Sequence, residues 1–138
     1  MDTSQEKTLR TPLILVVDDA AEIRVVLRTF LELHGYDVEE AGDGDEAVTI
    51  AAHVRPDLIL MDLDMPVFNG IEAIRHIRLS RELQSVPVII HTAHGELGIN
   101  LYLQIDDLGQ GLIEYITKPL DFDYLLDLLS RVLPVSKD

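Results

Sequence analysis

Five side chains stand out by type and position: Asp18, Asp19, Asp62, Thr92 and Lys118. Each lies within two residues of the end of a short apolar run. Three carboxylates gathered at one place repel one another and raise each other's pKa values, and a divalent cation relieves that repulsion. Oxygen ligands with no thiol favour Mg²⁺ over softer metals. A carboxylate is also a nucleophile able to form an aspartyl phosphate. The transferring phosphoryl group carries three equatorial oxygens that need neutralising. Mg²⁺ can take one, Lys118 another and the Thr92 hydroxyl the third. These residues therefore match a carboxylate that accepts a phosphoryl group, provided the fold brings them together.

The elements that would do so are legible as alternating patterns. Leu13 to Val17, Leu58 to Met61, Val86 to Ile90 and Ile113 to Thr117 are continuous apolar runs, the signature of strands buried on both faces of a parallel sheet. Tyr36 to Ala41 is more polar and reads as an edge strand. Helical stripes lie between. Ile23, Val26, Leu27, Phe30 and Leu31 mark the first, with Gly35 placed to end it in the left-handed conformation. The second runs from Asp43 to His53, capped by Asp43 or Asp45 and stopped by Pro56. Asn69 can cap a third, carrying Ile71, Ile74 and Ile77. Leu97, Leu101, Ile105 and Leu108 give a fourth, weakened by Gly98. Asp121 caps a fifth, with Phe122, Leu125, Leu126, Leu129 and Val132 facing the core. Five such βα pairs make an open α/β sheet with helices on both faces, and ligands bind such sheets beyond the carboxyl ends of the strands. Four of the five strands deliver the singled-out residues to that edge.

Composition narrows the function classes. The 138 residues carry a formal charge of −14 from 11 basic and 25 acidic residues, with no Cys. No disulfide and no thiolate metal site is possible. A pI near 4.5 argues against binding nucleic acid or an anionic membrane surface. The 47% hydrophobic content excludes a disordered acidic chain. The polar N-terminus lacks a signal-type apolar run, which predicts a cytoplasmic protein, and no stretch is long enough to span a membrane. Residues 1–11 read as a loose arm, 12–133 as one domain and 134–138 as a tail.

The runs Ile14 to Asp19, Leu58 to Pro66 with Asn69-Gly70, Thr92-Ala93, and Tyr115 to Pro119 together resemble the receiver domain of two-component response regulators, over about residues 12–133. The resemblance implies the flavodoxin-like (βα)5 doubly wound parallel sheet with strand order 2-1-3-4-5. It implies Asp62 as phosphoacceptor, served by a phosphohistidine of a sensor kinase or histidine phosphotransfer protein. Asp18 and Asp19 would hold Mg²⁺, Asp19 more directly, together with Asp62 and the backbone carbonyl of Asp64. Thr92 and Tyr115 would switch, and Lys118 would pair with the phosphoryl group. Pro119 matches a proline that often follows a cis bond in the family. The helix near residues 97–108, the fifth strand and the fifth helix would form the surface read by a downstream protein partner, with Tyr102 and Leu103 as contact candidates. Such a domain is a self-catalysed phosphoacceptor with autodephosphorylation, not a turnover enzyme.

Other readings compete residue by residue. Asp18-Asp19 alone could cap a helix, Thr92 and His91 could be ordinary strand residues, and Lys118 a surface lysine, although the chain has only three. The five histidines, His34, His53, His76, His91 and His94, show no ligand spacing. His94 and Asp64, each two residues beyond Thr92 and Asp62, are placed to govern water access and so the lifetime of the phosphorylated form. Asp62-Leu63-Asp64 also resembles the nucleophile motif of haloacid-dehalogenase-type phosphatases, but there the acidic pair comes last and here it comes first. A receiver fold used only for docking is the third reading, although every acceptor residue is present. Thr92 to Lys118 is about four residues longer than is usual in the family, which makes the fourth helix or its exit loop unusual.

Overall fold

The computed structural model describes residues 11–65, 70–93 and 112–133. Five parallel strands, β1 (Leu13–Val17), β2 (Asp37–Ala41), β3 (Leu58–Asp62), β4 (Val88–Thr92) and β5 (Leu112–Thr117), form one sheet in the order β2-β1-β3-β4-β5. The described helices are α1 (Ala21–Leu33), α2 (Gly44–Val54), α3 (Gly70–Arg78) and α4 (Phe122–Val132), with a 3₁₀ turn at Arg81–Leu83. Here α4 is the fifth helix of the sequence reading. The fourth, near residues 97–108, and the Asn69 cap lie outside the described residues.

The unbroken apolar runs form the inner strands because both faces are covered. Residues at alternate positions divide into two cores. Leu15, Val17, Ile59, Met61, Val88 and Ile90 pack with α2 and α3, whereas Ile14, Val16, Leu58, Leu60, Ile89 and Ile116 pack with α1 and α4. On the edge, β2 alternates exposed and buried residues at its start, as its polar sequence requires. The fourth strand begins at Val88, two residues later than its apolar run, because Pro87 offers the ladder no N–H.

Local signals end the helices where expected. Asp43 accepts from the Glu46 N–H at 2.8 Å and Asp121 from the Tyr124 N–H at 3.0 Å. Gly35 follows α1 at φ 94°, as expected of a glycine there. One expectation needs correction. Ile23 and Val26 are 43% and 50% exposed, so only Leu27 and Leu31 of the first stripe are buried. The N-terminal half of α1 instead overhangs a cleft at the sheet edge, and these two side chains line it.

Gly70 sets how closely α3 approaches the end of β3. A Cβ there would lie 2.8 Å from both the Asp62 carbonyl oxygen and Met61 Cγ. Gly70→Ala must therefore displace either the helix or the Asp62 strand end, an overpacking cost of about 1–3 kcal/mol. Urea denaturation tests this, and an unchanged midpoint would count against such close packing.

Candidate functional site

Register assembles the site. Pairing of Val17 with Met61 puts Asp18, the next residue, level with Asp62, and Asp62 pairs directly with His91. By the two-residue period, all three side chains project to the α1/α4 face. Asp18, Asp62 and His91 are 2%, 1% and 2% exposed, and one ligand atom from each lies within 4.8 Å of the others. Thr92 closes β4, and Lys118 follows β5, its N–H donating to the Thr92 carbonyl at 2.7 Å. The Lys118–Pro119 peptide bond is cis.

The Asp18 loop is held from three sides. Its N–H donates to the Ala41 carbonyl at 3.1 Å. Its carbonyl accepts from Arg24 Nη1 at 2.6 Å, and the Arg24 Nε donates to Glu40 at 3.0 Å. Its own Oδ1 accepts from the Ala20 N–H at 2.9 Å, and Ala20, with no side-chain cap, is the N-cap of α1. Burial pushes the Asp18 carboxyl above its ordinary value; the Ala20 N–H opposes this, and Asp62 reinforces it.

Lys118 Nζ lies 3.0 Å from Asp62 Oδ1 and 3.2 Å from Asp64 Oδ2. Asp62 Oδ1 also accepts from the Asp64 N–H at 2.8 Å. The Asp64 carboxylate reaches across the site, accepting from the Thr92 hydroxyl at 2.8 Å and the Ala93 N–H at 2.8 Å. Burial would raise Asp64, but the Ala93 N–H, the Thr92 hydroxyl and Lys118 outweigh it and hold the carboxyl below its ordinary value. For Lys118, burial acts downward and the two carboxylates more than reverse it, so the ammonium is held above its ordinary value.

The structure thus brings together Asp18, Asp62, Asp64, Thr92 and Lys118. Asp19 is exposed and lines the adjoining cleft of about 360 Å³, with Ile23, Val26, Lys118 and Phe122. Tyr115 packs against the α2/α3-face core. His94 lies outside the described residues. Sequence reasoning missed two features: the Asp64 carboxylate as a bridge, and His91. The signal for His91 was a polar side chain inside a continuous buried run.

His91 Nε2 is buried, has no hydrogen-bond partner and lies 4.0 Å from Asp18 Oδ2. Leaving such a nitrogen unmatched costs about 1–3 kcal/mol. Burial pushes the imidazole down to about 4, with Asp62 opposing and Lys118 assisting. The folded chain therefore holds His91 neutral where the unfolded chain, titrating near 6.5, is protonated. Unfolding takes up a proton in that window, so stability falls as the pH drops from 6.5 towards 4. In metal-free protein, His91→Leu is expected to remove about 2 kcal/mol of this acid loss between pH 7 and pH 5. Denaturation midpoints at pH 7 and pH 5 measure it; parallel curves for both proteins would refute it.

A buried carboxylate pair facing a lysine, at the carboxyl edge of a 2-1-3-4-5 sheet, is the architecture of a phosphoacceptor domain of the flavodoxin-like class. Residues 14–130 match the response regulator receiver domain, and the chain belongs to that family. Protein PilH of Pseudomonas aeruginosa is 36% identical over 120 residues, covering 87% of this chain and 96% of PilH. The chemotaxis protein CheY4 of Vibrio cholerae superposes with a TM-score of 0.80 at 31% identity, covering 90% of this chain and all of CheY4. The receiver domain of the sensor histidine kinase PA1611 of Pseudomonas aeruginosa, solved with magnesium in its active-site cleft, gives 0.76 at 34% identity, covering 88% of this chain and 97% of that domain. The chain is a phosphoacceptor response regulator domain, and the phosphatase and docking-only readings are not favoured. Receiver domains interact with histidine kinases or phosphotransfer proteins. Among the described residues no helix is long and apolar enough to cross a membrane.

Proposed function

We propose that Asp62 is the residue that accepts the phosphoryl group, within a folding unit of residues 12–133. The observation that carries this is the placement of Lys118 Nζ on the oxygen of a carboxylate buried at a strand end. An Asp62 carboxylate oxygen attacks the phosphorus of a phosphohistidine. The new O–P bond forms as the P–N bond breaks, and the electron pair leaves with the imidazole. Lys118 stabilises the charge on one phosphoryl oxygen, and the Thr92 hydroxyl turns from Asp64 to donate to another.

The donor set fits Mg²⁺. Two buried carboxylates face each other, and burial together with Asp62 disfavours the Asp18 charge in the absence of a cation. The side chains of Asp18, Asp19 and Asp62 and the Asp64 carbonyl would hold the ion. When bound, it neutralises their repulsion and one phosphoryl oxygen.

The proposed switch moves Thr92 and Tyr115 together and changes a surface made of β5, α4 and the helix expected near residues 97–108, to which a downstream protein binds. Water attacking the aspartyl phosphate breaks the same O–P bond, releases inorganic phosphate and regenerates the carboxylate. Asp64 and His94 are proposed to set the rate of that step. We place the protein in the cytoplasm, where kinase and phosphotransfer donors are available. Incubation with acetyl phosphate and Mg²⁺ followed by intact-mass measurement tests the reading. One added phosphoryl group is expected, absent in Asp62→Ala; equal modification of both proteins would overturn it.

A further inference from the structure

Resting on the reading of Asp18 and Asp62 as the acidic centre, we propose that His91 adds a nitrogen ligand to it, so that the pocket prefers a divalent transition ion of the Co²⁺ or Zn²⁺ kind to Mg²⁺. An acidic pair alone would not support this. The independent observation is His91 itself, 2% exposed, with Nε2 directed into the pocket and unpartnered. Three adjacent strands, β1, β3 and β4, deliver Asp18, Asp62 and His91 level with one another and to one face.

The chemistry follows from the donor set. Mg²⁺ takes oxygen ligands and holds its water, whereas imidazole nitrogen suits later first-row ions, whose affinity for mixed N/O sites rises along the series. One nitrogen and two carboxylate oxygens form a three-ligand set, which leaves room for water or a phosphoryl oxygen in the remaining positions. Ligands bound at about 2.1 Å stand roughly 3 Å apart, so atoms now within 4.8 Å need to close by no more than side-chain rotation allows. Such an ion satisfies the stranded Nε2 and offsets the repulsion between the carboxylates. Asp62 Oδ1, already bound to Lys118 and the Asp64 N–H, leaves the ligand role to the second carboxylate oxygen.

Calorimetric titration of the protein with Co²⁺ and, separately, with Mg²⁺ tests this, using wild type, His91→Leu and Asp62→Asn. Expected are tighter binding of Co²⁺ than Mg²⁺ by the wild type, loss of at least about tenfold in Co²⁺ affinity in His91→Leu with Mg²⁺ affinity within about twofold, and weakening of both ions in Asp62→Asn. Unchanged Co²⁺ affinity in His91→Leu would overturn the inference and leave the acidic centre standing. No binding of either ion by wild type would overturn both. If His91→Leu does not fold, the wild type alone decides: one equivalent of diamagnetic Zn²⁺ must move the His91 Nε2 nitrogen resonance to that of a metal-bound imidazole nitrogen, and an unmoved Nε2 resonance at saturating Zn²⁺ refutes the site.

Discussion

Lys118→Met is expected to slow phosphoryl acceptance from acetyl phosphate by about 10²–10³-fold, the usual cost of removing one preorganised charge-stabilising donor. Among the described residues, Lys118 is the cation on Asp62, at 3.0 Å, and it also faces Asp64 at 3.2 Å. Methionine keeps the length and apolar stem but carries no charge. The aspartyl phosphate would then form with one phosphoryl oxygen uncompensated. A structural defect would instead show as a lowered melting temperature with acceptance reduced in proportion. Quench-flow or timed intact-mass measurements give the rate, and a loss of less than about threefold would remove Lys118 from the charge-stabilising role.

Asp64→Ala is expected to act in the opposite direction. The Asp64 carboxylate engages both groups proposed to serve the phosphoryl oxygens: it accepts from the Thr92 hydroxyl and pairs with Lys118. A hydrogen bond to a charged group contributes about 1.5–3 kcal/mol, so breaking it disfavours the switched state by about 10–100-fold. Without the carboxylate, the Thr92 hydroxyl loses one acceptor, Lys118 keeps Asp62 as its partner, and a like charge beside the incoming phosphoryl group disappears. Beryllofluoride, a phosphoryl mimic, is therefore expected to bind Asp64→Ala with Mg²⁺ at least about tenfold more tightly than wild type. The Asp64 backbone carbonyl, the proposed metal ligand, is kept in this variant. Equal or weaker binding would show that Asp64 does not restrain the switch.

Much of this was legible in the chain because each signal was local. Continuous runs such as Leu58 to Met61 can be satisfied only by burial on both faces, and Asp43, Asp121 and Gly35 mark helix ends by their own backbone and side-chain chemistry. The strand-end positions of Asp18, Asp62, Thr92 and Lys118 followed from those runs. His91 was not legible in the same way. Its parity is readable, but its place between Asp18 and Asp62 depends on which strands are neighbours and in which register. Asp64 was singled out beside the site, but its carboxylate bridge to Thr92 was not legible, for a similar reason. Its partners, Thr92 and Ala93, are 28 and 29 residues away, so only the folded turn after β3 shows that it spans the site. Periodicity put Ile23 and Val26 on the apolar stripe of the first helix, yet they are half exposed, because a stripe shows which side of a helix is apolar without showing where the sheet beneath it ends.

Asp62 is the proposed carrier of the phosphoryl group. Borohydride reduction of protein treated with acetyl phosphate and Mg²⁺ converts an aspartyl phosphate to homoserine, and peptide mapping then locates it. Homoserine at position 62, and none in untreated protein, is the predicted result. Homoserine at position 18, 19 or 64 in place of 62 would contradict it.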